Sequence, residues 1–311
     1  MKINDGPGKS NLILSLLLMK FKYFWSAQLG ITTKCSSGCR HCIYAHVKKE
    51  DMPKKLIDKG LALFEELGIR RMLIAGGEPF ESYSNLEYSF KKSLDFLHPS
   101  NIFLITSASW AHSNKIVEQK INPLVDMGIE NISISLDSFH LENISISNYF
   151  LLLDYLKETG IVPVIATRYN KKMNDYRNLL KKIKREYDAK ILTDVVVRTG
   201  GAASLPIRET EAEKRELTEF RKTFDSELYY ISKSPINQLF ESLVRTNCVY
   251  PSLFPNGDLH LCCRKNENTL ICNLNTDDFY TNLKKFNDNC AKNISRVIAW
   301  PLSCNRCPIS K

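Results

Sequence analysis

Between residues 26 and about 200, short runs rich in β-branched and other apolar residues alternate with longer stretches whose apolar positions recur every three or four residues. The first pattern is that of strands buried on both faces, and the second that of helices with one buried stripe. Strands are predicted at Ala27–Thr33, Arg71–Ala75, Ile102–Thr106, Asn131–Leu136, Val162–Thr167 and Ile191–Val197. Helices are predicted between them at Pro53–Leu67, Asn114–Met127, Asn148–Thr159 and Asp175–Tyr187. Strands in succession with helices between them imply right-handed crossovers and a parallel sheet. After the first, the strands begin at intervals of about thirty residues, the length of one βαβ unit. The expected fold is α/β, a curled partial (βα)6 TIM-like barrel, with its chemistry at the carboxyl ends of the strands.

The pattern changes toward the end of the chain. A polar stretch, Thr199-Gly-Gly-Ala-Ala-Ser-Leu-Pro206, leads into a charged helix from Arg208 to Phe224. Beyond it Val249–Arg264 reads as a hairpin turning at Pro255-Asn-Gly-Asp258. The expected organisation is an N-terminal element at 1–25, a core domain at 26–224 and a small domain at 225–311. The apolar run Leu12–Met19 is too short to span a bilayer. No small-residue cleavage site follows it before Lys20, Lys22 and Tyr23, so it reads as part of a cytoplasmic protein with no membrane span. Gly6-Pro-Gly-Lys-Ser10 lacks the first glycine and the preceding strand of a phosphate loop.

Composition sharpens this picture. The 311 residues are 43% hydrophobic and 25% charged, which suits a globular protein with a sizeable core. The net charge of +9 is spread through Lys-rich helices such as Lys171 to Lys184. With no stacked-aromatic RNA motif and no zinc-finger spacing, a nucleic-acid partner is not expected. The ten cysteines fall into two groups, Cys35, Cys39 and Cys42 near the start and seven beyond residue 247. A disulfide framework would not leave the middle of the chain empty, so this clustering reads as metal binding in a reducing compartment.

The first group lies in Cys35-Ser-Ser-Gly-Cys39-Arg-His-Cys42, directly after the first predicted strand. Its C-x3-C-x2-C spacing would arise by chance in about one chain in a hundred of this composition. Three thiolates on one loop hold three irons of a 4Fe–4S cluster and leave the fourth without a protein ligand, open to a small molecule. Gly76-Gly77-Glu78-Pro79 follows the second strand, where two glycines allow close backbone approach and an acid can receive an ammonium. Ser107 and Ser109 follow the third strand, Ser135 and Asp137 end the fourth, and Arg168 ends the fifth. Each alone is ordinary strand-end chemistry, and together they outline a rim.

The cysteine triplet combined with Gly76-Gly77-Glu78 resembles the signature of the radical SAM enzymes. The resemblance implies a catalytic 4Fe–4S cluster on Cys35, Cys39 and Cys42. It also implies S-adenosylmethionine, with its amino group held at Gly76–Pro79 and its carboxylate or ribose at Ser107 and Ser109. Ser135, Asp137 and Arg168 would complete the rim, and His41 fills the place of the family's aromatic ring near the adenine. The chemistry implied is reductive cleavage of S-adenosylmethionine and abstraction of a substrate hydrogen atom. The electron would come from an external donor such as a flavodoxin or ferredoxin.

The C-terminal cysteines, Cys248-x8-Gly257-x4-Cys262 and Cys304-Asn-Arg-Cys307, are similar to the twitch or short SPASM domain of radical SAM enzymes that modify peptides. That resemblance implies a second, auxiliary 4Fe–4S cluster on Cys248, Cys262, Cys304 and Cys307; a four-cysteine zinc site is the alternative. Cys272 and Cys290 stand outside the set, with Cys272 able to replace one ligand. Adjacent residues of a strand face opposite ways, so Cys262 and Cys263 would not both ligate one cluster. The free thiol, taken as Cys263, is either inert or a hydrogen-atom donor to a carbon radical. The stretches Val249–Cys263, Ile132–His140 and Thr199–Ala203 resemble radical SAM peptide epimerases. The expected reaction is therefore epimerisation of a residue in a ribosomally made peptide. The alternatives are epimerisation of a carbohydrate and oxidative cross-linking of a peptide. The segment before Cys35 is too short for the winged peptide-binding domain of many peptide-maturing relatives.

Overall fold

The computed structural model describes residues 26–195, 201–202, 205, 211–224, 251–260 and 270–283. In chain order its elements are β1 (Ser26–Gly30), α1 (Lys54–Glu66), β2 (Arg71–Ala75), α2 (Tyr83–Ser93), β3 (Ile102–Thr106), α3 (Asn114–Asp126), β4 (Asn131–Ser135), α4 (Ile146–Glu158), β5 (Val164–Tyr169), α5 (Arg177–Tyr187), β6 (Lys190–Val195), α6 (Glu211–Phe224), β7 (Ser252–Leu253), β8 (Asp258–His260) and β9 (Leu270–Asn273). Short 3-10 turns lie at Pro79–Ser82 and Lys171–Tyr176. Among the described residues no helix is long and apolar enough to cross a membrane.

Two compact units can be distinguished. The first gathers 26–30, 52–72, 251–260 and 270–283. There β1 pairs in parallel with β7 (Gln28 with Ser252, Leu29 with Leu253), and β7, β8 and β9 follow in antiparallel order. Helix α1 buries Leu56, Ile57, Leu61 and Phe64, the i, i+4 spacing of one stripe. On that stripe Gly60 brings the helix close, since a Cβ there would lie 2.4 Å from Leu253 Cδ2. Cys272 is buried on β9, opposite Leu259.

The second unit gathers 31–51 and 73–224 and carries every site residue described below. Its strands run in the order β6-β5-β4-β3-β2, and the pairs from β3 to β6 are parallel. Two of its helices end on one device. After α3 and α4 a glycine with positive φ, Gly128 (86°) or Gly160 (76°), closes the last turn. The isoleucine that follows each donates back five residues, Ile129 N–H to Leu124 O and Ile161 N–H to Leu156 O. The glycine thereby turns the chain from helix into the next strand.

On α6, Phe220 and Phe224 pack together and Tyr169 lies 5.0 Å from Phe220. The Arg177 guanidinium covers both phenylalanine rings. The largest fully buried side chains are mostly such aromatics, with Tyr149, Phe80 and Phe90 also under 2% exposed.

Candidate functional site

The chain leaves β1 through Ile31–Thr33 and enters a loop whose two stems are clasped together. Thr33 N–H donates to Glu50 O at 2.8 Å, Thr33 Oγ1 to Lys48 O at 2.6 Å, and Thr32 Oγ1 to Asp51 Oδ1 at 2.7 Å. Residues 34–50 therefore form a closed loop, and Cys35, Cys39 and Cys42 all lie on it as free thiols. Inside the loop Cys42 N–H donates to Cys39 O, and Gly38 takes φ 61°. Gly201 N–H reaches Cys42 O at 2.8 Å. A Cβ on Gly201 would stand 2.5 Å from Arg40 O, so that approach requires glycine.

The end of β2 packs directly on this loop. Gly77 N–H donates to Thr32 O and Glu78 N–H to Lys34 O, both at 2.7 Å. A Cβ on Gly76 would lie 2.3 Å from Thr32 O, and one on Gly77 only 2.1 Å from Lys34 O. Glu78 is fully buried. Its Oε1 accepts from Thr106 Oγ1 (2.9 Å) and Phe80 N (3.2 Å), and its Oε2 from Ser107 N (2.7 Å) and Ser107 Oγ (2.5 Å). Four donors fill the roughly four lone-pair sites of a carboxylate. Burial pushes its pKa up, against the pull of the Ser107 hydrogen bonds. Pro79 is buried at the start of the turn that follows. Ser107 Oγ also lies 3.1 Å from Ser37 Oγ and 3.2 Å from Ser109 Oγ, joining the third strand's end to the cysteine loop.

A second cluster stands beyond β4. Asp137 accepts from the backbone N–H groups of Phe139 (2.9 Å) and His140 (3.1 Å). Its carboxylate lies 2.9 Å from His140 Nδ1 and 3.6 Å from His41 Nε2. One ligand atom from each of the three residues lies within 4.8 Å of the others. His41 stacks on Phe139 at 4.6 Å and meets His140 edge-on at 5.0 Å. Burial pushes the His41 pKa down to about 4, outweighing the attraction of Asp137. Burial also disfavours a charge on His140, but the Asp137 carboxylate overcomes it and moves that ring up to about 10. Asp137 is correspondingly held below the usual carboxylate range, the charge of His140 outweighing its own burial.

Each thiol meets a hydrogen-bonding group. Ser37 pulls the Cys35 thiol toward its ionised form, against the larger effect of burial. Cys42 Sγ accepts from Tyr44 N at 3.3 Å, and Cys39 Sγ donates to Ser37 O at 3.9 Å. Burial pushes the Cys35 thiol up to about 11 and raises Cys42 as well.

The structure thus brings together Cys35, Cys39, Cys42, His41, Gly76, Gly77, Glu78, Pro79, Ser107, Ser109 and Asp137. Ser135 ends β4 with its carbonyl receiving the Tyr149 hydroxyl. Arg168 lies one residue inside β5 rather than at its end, and its charge is felt at His41. Cys248, Cys262, Cys263, Cys290, Cys304 and Cys307 lie outside the described residues. Sequence reasoning had not singled out Ser37, Thr106 or His140; for His140 the signal is an Asp-x-x-His turn following a strand.

The donor set fits the expected group. Three soft thiols on one short clasped loop suit an iron–sulfur cluster, and the absence of a fourth on that loop suits an open iron.

A parallel α/β unit with three cysteines clasped beside a glycine-bounded buried glutamate defines an iron–sulfur enzyme of the radical type. The profile of the Radical SAM superfamily matches residues 29–201, more than half of the chain, and the chain belongs to that superfamily. Membership implies a 4Fe–4S cluster and S-adenosylmethionine.

Solved structures agree on the fold. SuiB of Streptococcus suis bound to S-adenosylmethionine superimposes with a TM-score of 0.64 at 16% identity, covering 90% of this chain and 70% of SuiB. SuiB bound to its precursor peptide SuiA gives 0.64 at 15%, covering 90% and 68%. The protein anSMEcpe with AdoMet and the Cp18Cys peptide gives 0.61 at 15%, covering 91% and 86%. The expected α/β fold with its parallel strands is the one shared with these proteins. No curated protein matches this chain by sequence.

Proposed function

We propose that this enzyme acts on a ribosomally made peptide and inverts one of its Cα centres. The cluster is held by Cys35, Cys39 and Cys42, and S-adenosylmethionine lies against Gly76–Pro79, Ser107, Ser109 and the rim residues Ser135, Asp137, Arg168 and His41. The observation that carries the reading is the clasped cysteine loop hydrogen-bonded to the end of β2, with Glu78 buried beneath it. Once bound, the cluster and S-adenosylmethionine supply one electron and a carbon radical able to take a hydrogen atom.

The protein's own residues do the positioning. The hydrogen bonds from Gly77 and Glu78 fix the strand end against the backbone just before Cys35. Glu78 ties that end to Thr106 and Ser107, so thiols and rim move as one body. Cys263 returns a hydrogen atom to the opposite face of the substrate carbon, and one electron and one proton then restore the thiol. Cys248, Cys262, Cys304 and Cys307 hold the auxiliary cluster. A flavodoxin or ferredoxin serves as electron donor. The peptide assignment is supported by SuiB and anSMEcpe, which are solved with peptides bound.

The test is turnover in heavy water. Inversion through a thiol leaves the product heavier by one deuterium, whereas cross-linking removes two hydrogens. Cys263→Ala is expected to abstract hydrogen without releasing inverted product; inverted product from that variant would refute the donor role. After anaerobic reconstitution about eight irons with sulfide are expected, and stoichiometric zinc would defeat the auxiliary cluster.

A further inference from the structure

His41, Asp137 and His140 bring two imidazoles and a carboxylate together with their side chains only 12%, 1% and 12% exposed. Asp137 Oδ1 accepts the backbone N–H groups of Phe139 and His140, which fixes the carboxylate on the turn after β4. Its other oxygen, Oδ2, has no hydrogen-bond partner among the described residues, and neither has His140 Nδ1 or His41 Nδ1. His140 Nδ1 stands 2.9 Å from Asp137 Oδ1 and His41 Nε2 stands 3.6 Å from Oδ2, yet neither approach is a directed hydrogen bond. Buried polar atoms without partners are uncommon, and several in one place are satisfied at once by a shared ion. One ligand atom from each residue lies within 4.8 Å of the other two.

The geometry points to a binding site for one divalent transition-metal ion of the zinc class on His41, Asp137 and His140, separate from the thiols. Two imidazoles exclude magnesium and calcium, which take oxygen ligands, and suit zinc and its neighbours. Ligand atoms at about 2.0–2.2 Å from a tetrahedral ion are about 3.3–3.6 Å apart, close to the two separations at Asp137. The widest gap in the triad, no more than 4.8 Å, closes by turning the imidazoles about their broad second torsion. Ligating atoms use the edge of a ring, so His41 keeps its stacking on Phe139. Ligating imidazoles are neutral, so the ion replaces the proton that Asp137 otherwise holds on His140 as the positive charge facing the carboxylate. The backbone bonds to Oδ1 orient the carboxylate as partners of metal ligands do. Because His41 lies between Cys39 and Cys42, the ion ties the cysteine loop to the turn after β4. Three protein ligands leave a fourth position for a water or another small oxygen ligand. The site does not rest on the proposed cluster and would stand without it.

The experiment uses the full chain, reconstituted anaerobically with iron and sulfide, then dialysed against zinc chloride and counted for both metals. His140→Phe keeps a ring of similar shape without a ligand atom, and Asp137→Asn keeps the shape without the charge. Zinc affinity is expected to fall at least tenfold in each, while Glu142→Gln, a change at an exposed carboxylate outside the triad, keeps the wild-type affinity. The zinc held by the wild type and lost in His140→Phe should amount to one per chain. Its X-ray absorption edge should show nitrogen and oxygen neighbours at about 2.0–2.2 Å and no sulfur at about 2.3 Å. Zinc on the C-terminal cysteines would be common to all four proteins and cancel in that difference. Equal zinc affinity in the wild type, His140→Phe and Asp137→Asn overturns the inference, as does a sulfur shell for the zinc that is lost or a wild type that holds none. If His140→Phe fails to fold by circular dichroism, Asp137→Asn decides by the same comparison. A wild-type chain that binds this zinc but takes up no iron would defeat the proposed function and leave the inference standing.

Discussion

Gly77→Ala isolates the contact between the end of β2 and the cysteine loop. Gly77 is not among the positive-φ residues, so alanine meets no backbone strain there. The obstacle is steric: a Cβ would stand 2.1 Å from Lys34 O, 2.7 Å from Lys34 C and 2.9 Å from Thr33 C. Ordinary van der Waals contact begins near 3.4 Å, so the Lys34 carbonyl must retreat by more than 1 Å. That carbonyl accepts the Glu78 N–H at 2.7 Å, and Gly77 N–H itself donates to Thr32 O. Two backbone hydrogen bonds at about 1 kcal/mol each, with an overpacking cost of about 1–3 kcal/mol, give an expected destabilisation of about 3–5 kcal/mol. Gly160→Ala is the matched control. Its φ is 76° and nothing lies within 4 Å of the added Cβ, so it carries only the left-handed penalty of about 1–2 kcal/mol. Urea denaturation of the two anaerobic apoproteins compares the costs, and iron and sulfide analysis follows reconstitution. Because Lys34 immediately precedes Cys35, Gly77→Ala is also expected to lose iron while Gly160→Ala keeps it. If Gly77→Ala is no less stable than the control and takes up full iron, the strand end does not position the loop.

Two further outcomes follow from the buried groups. Glu78→Gln replaces two of four acceptor sites with donors that face Ser107 or Thr106, and hydrogen bonds to a charged group are worth about 1.5–3 kcal/mol each. A loss of at least about 3 kcal/mol in urea is expected, with weaker binding of S-adenosylmethionine by calorimetry, and an unchanged denaturation midpoint would refute it. Burial raises Cys35 from 9.0 to about 11, so the folded apoprotein holds a neutral thiol at neutral pH. At pH 8 its thiolate fraction, and with it alkylation by iodoacetamide, should be about a hundredfold below that of the urea-unfolded chain. The difference should close as pH rises toward 11, and apoprotein stability should fall across the same window because the unfolded thiol ionises first. Equal alkylation rates in folded and unfolded chains at pH 8, read by mass spectrometry of the Cys35 peptide, would contradict the burial.

How much of this was legible in the sequence depended on the range of the interaction. Strands β2 and β3 fall at their predicted bounds, since continuous apolar runs ending at Ala75 and Thr106 state both limits. Strand β5 begins two residues late, at Val164, because Pro163 has no N–H to contribute to a ladder. Lys171–Tyr176 forms a 3-10 turn, which takes up the first residues expected in α5. Helix α2 carried little apolar periodicity because part of its buried face is Asn85, Ser89 and Ser93, the last satisfied within the helix by Ser89 O. At the site, the cysteine loop and Gly76–Glu78 were readable because their spacing is local. The four donors on Glu78 and the approach of His41 to Asp137 were not, because they depend on where separate strand ends meet.

The two carboxylates at the site are committed before any ligand arrives. Glu78 has its lone pairs taken by Thr106, Phe80 and Ser107. Asp137 is held ionised beside two imidazoles, and a carboxylate whose pKa is held low makes a weak base. Both therefore fix geometry, Glu78 the ends of β2 and β3, Asp137 the turn after β4 and the two rings beside it. A group that removed the substrate's hydrogen as a proton would need a free lone pair and a pKa near the working pH, and neither carboxylate offers both. The arrangement instead suits transfer of a hydrogen atom, in which the protein around the thiols holds partners still and leaves the return of hydrogen to a separate thiol. That is the role proposed for Cys263, and it makes a division of labour testable. Changes at Glu78 or Asp137 should alter cluster loading, potential or binding, while loss of Cys263 should spare all three and change only the product.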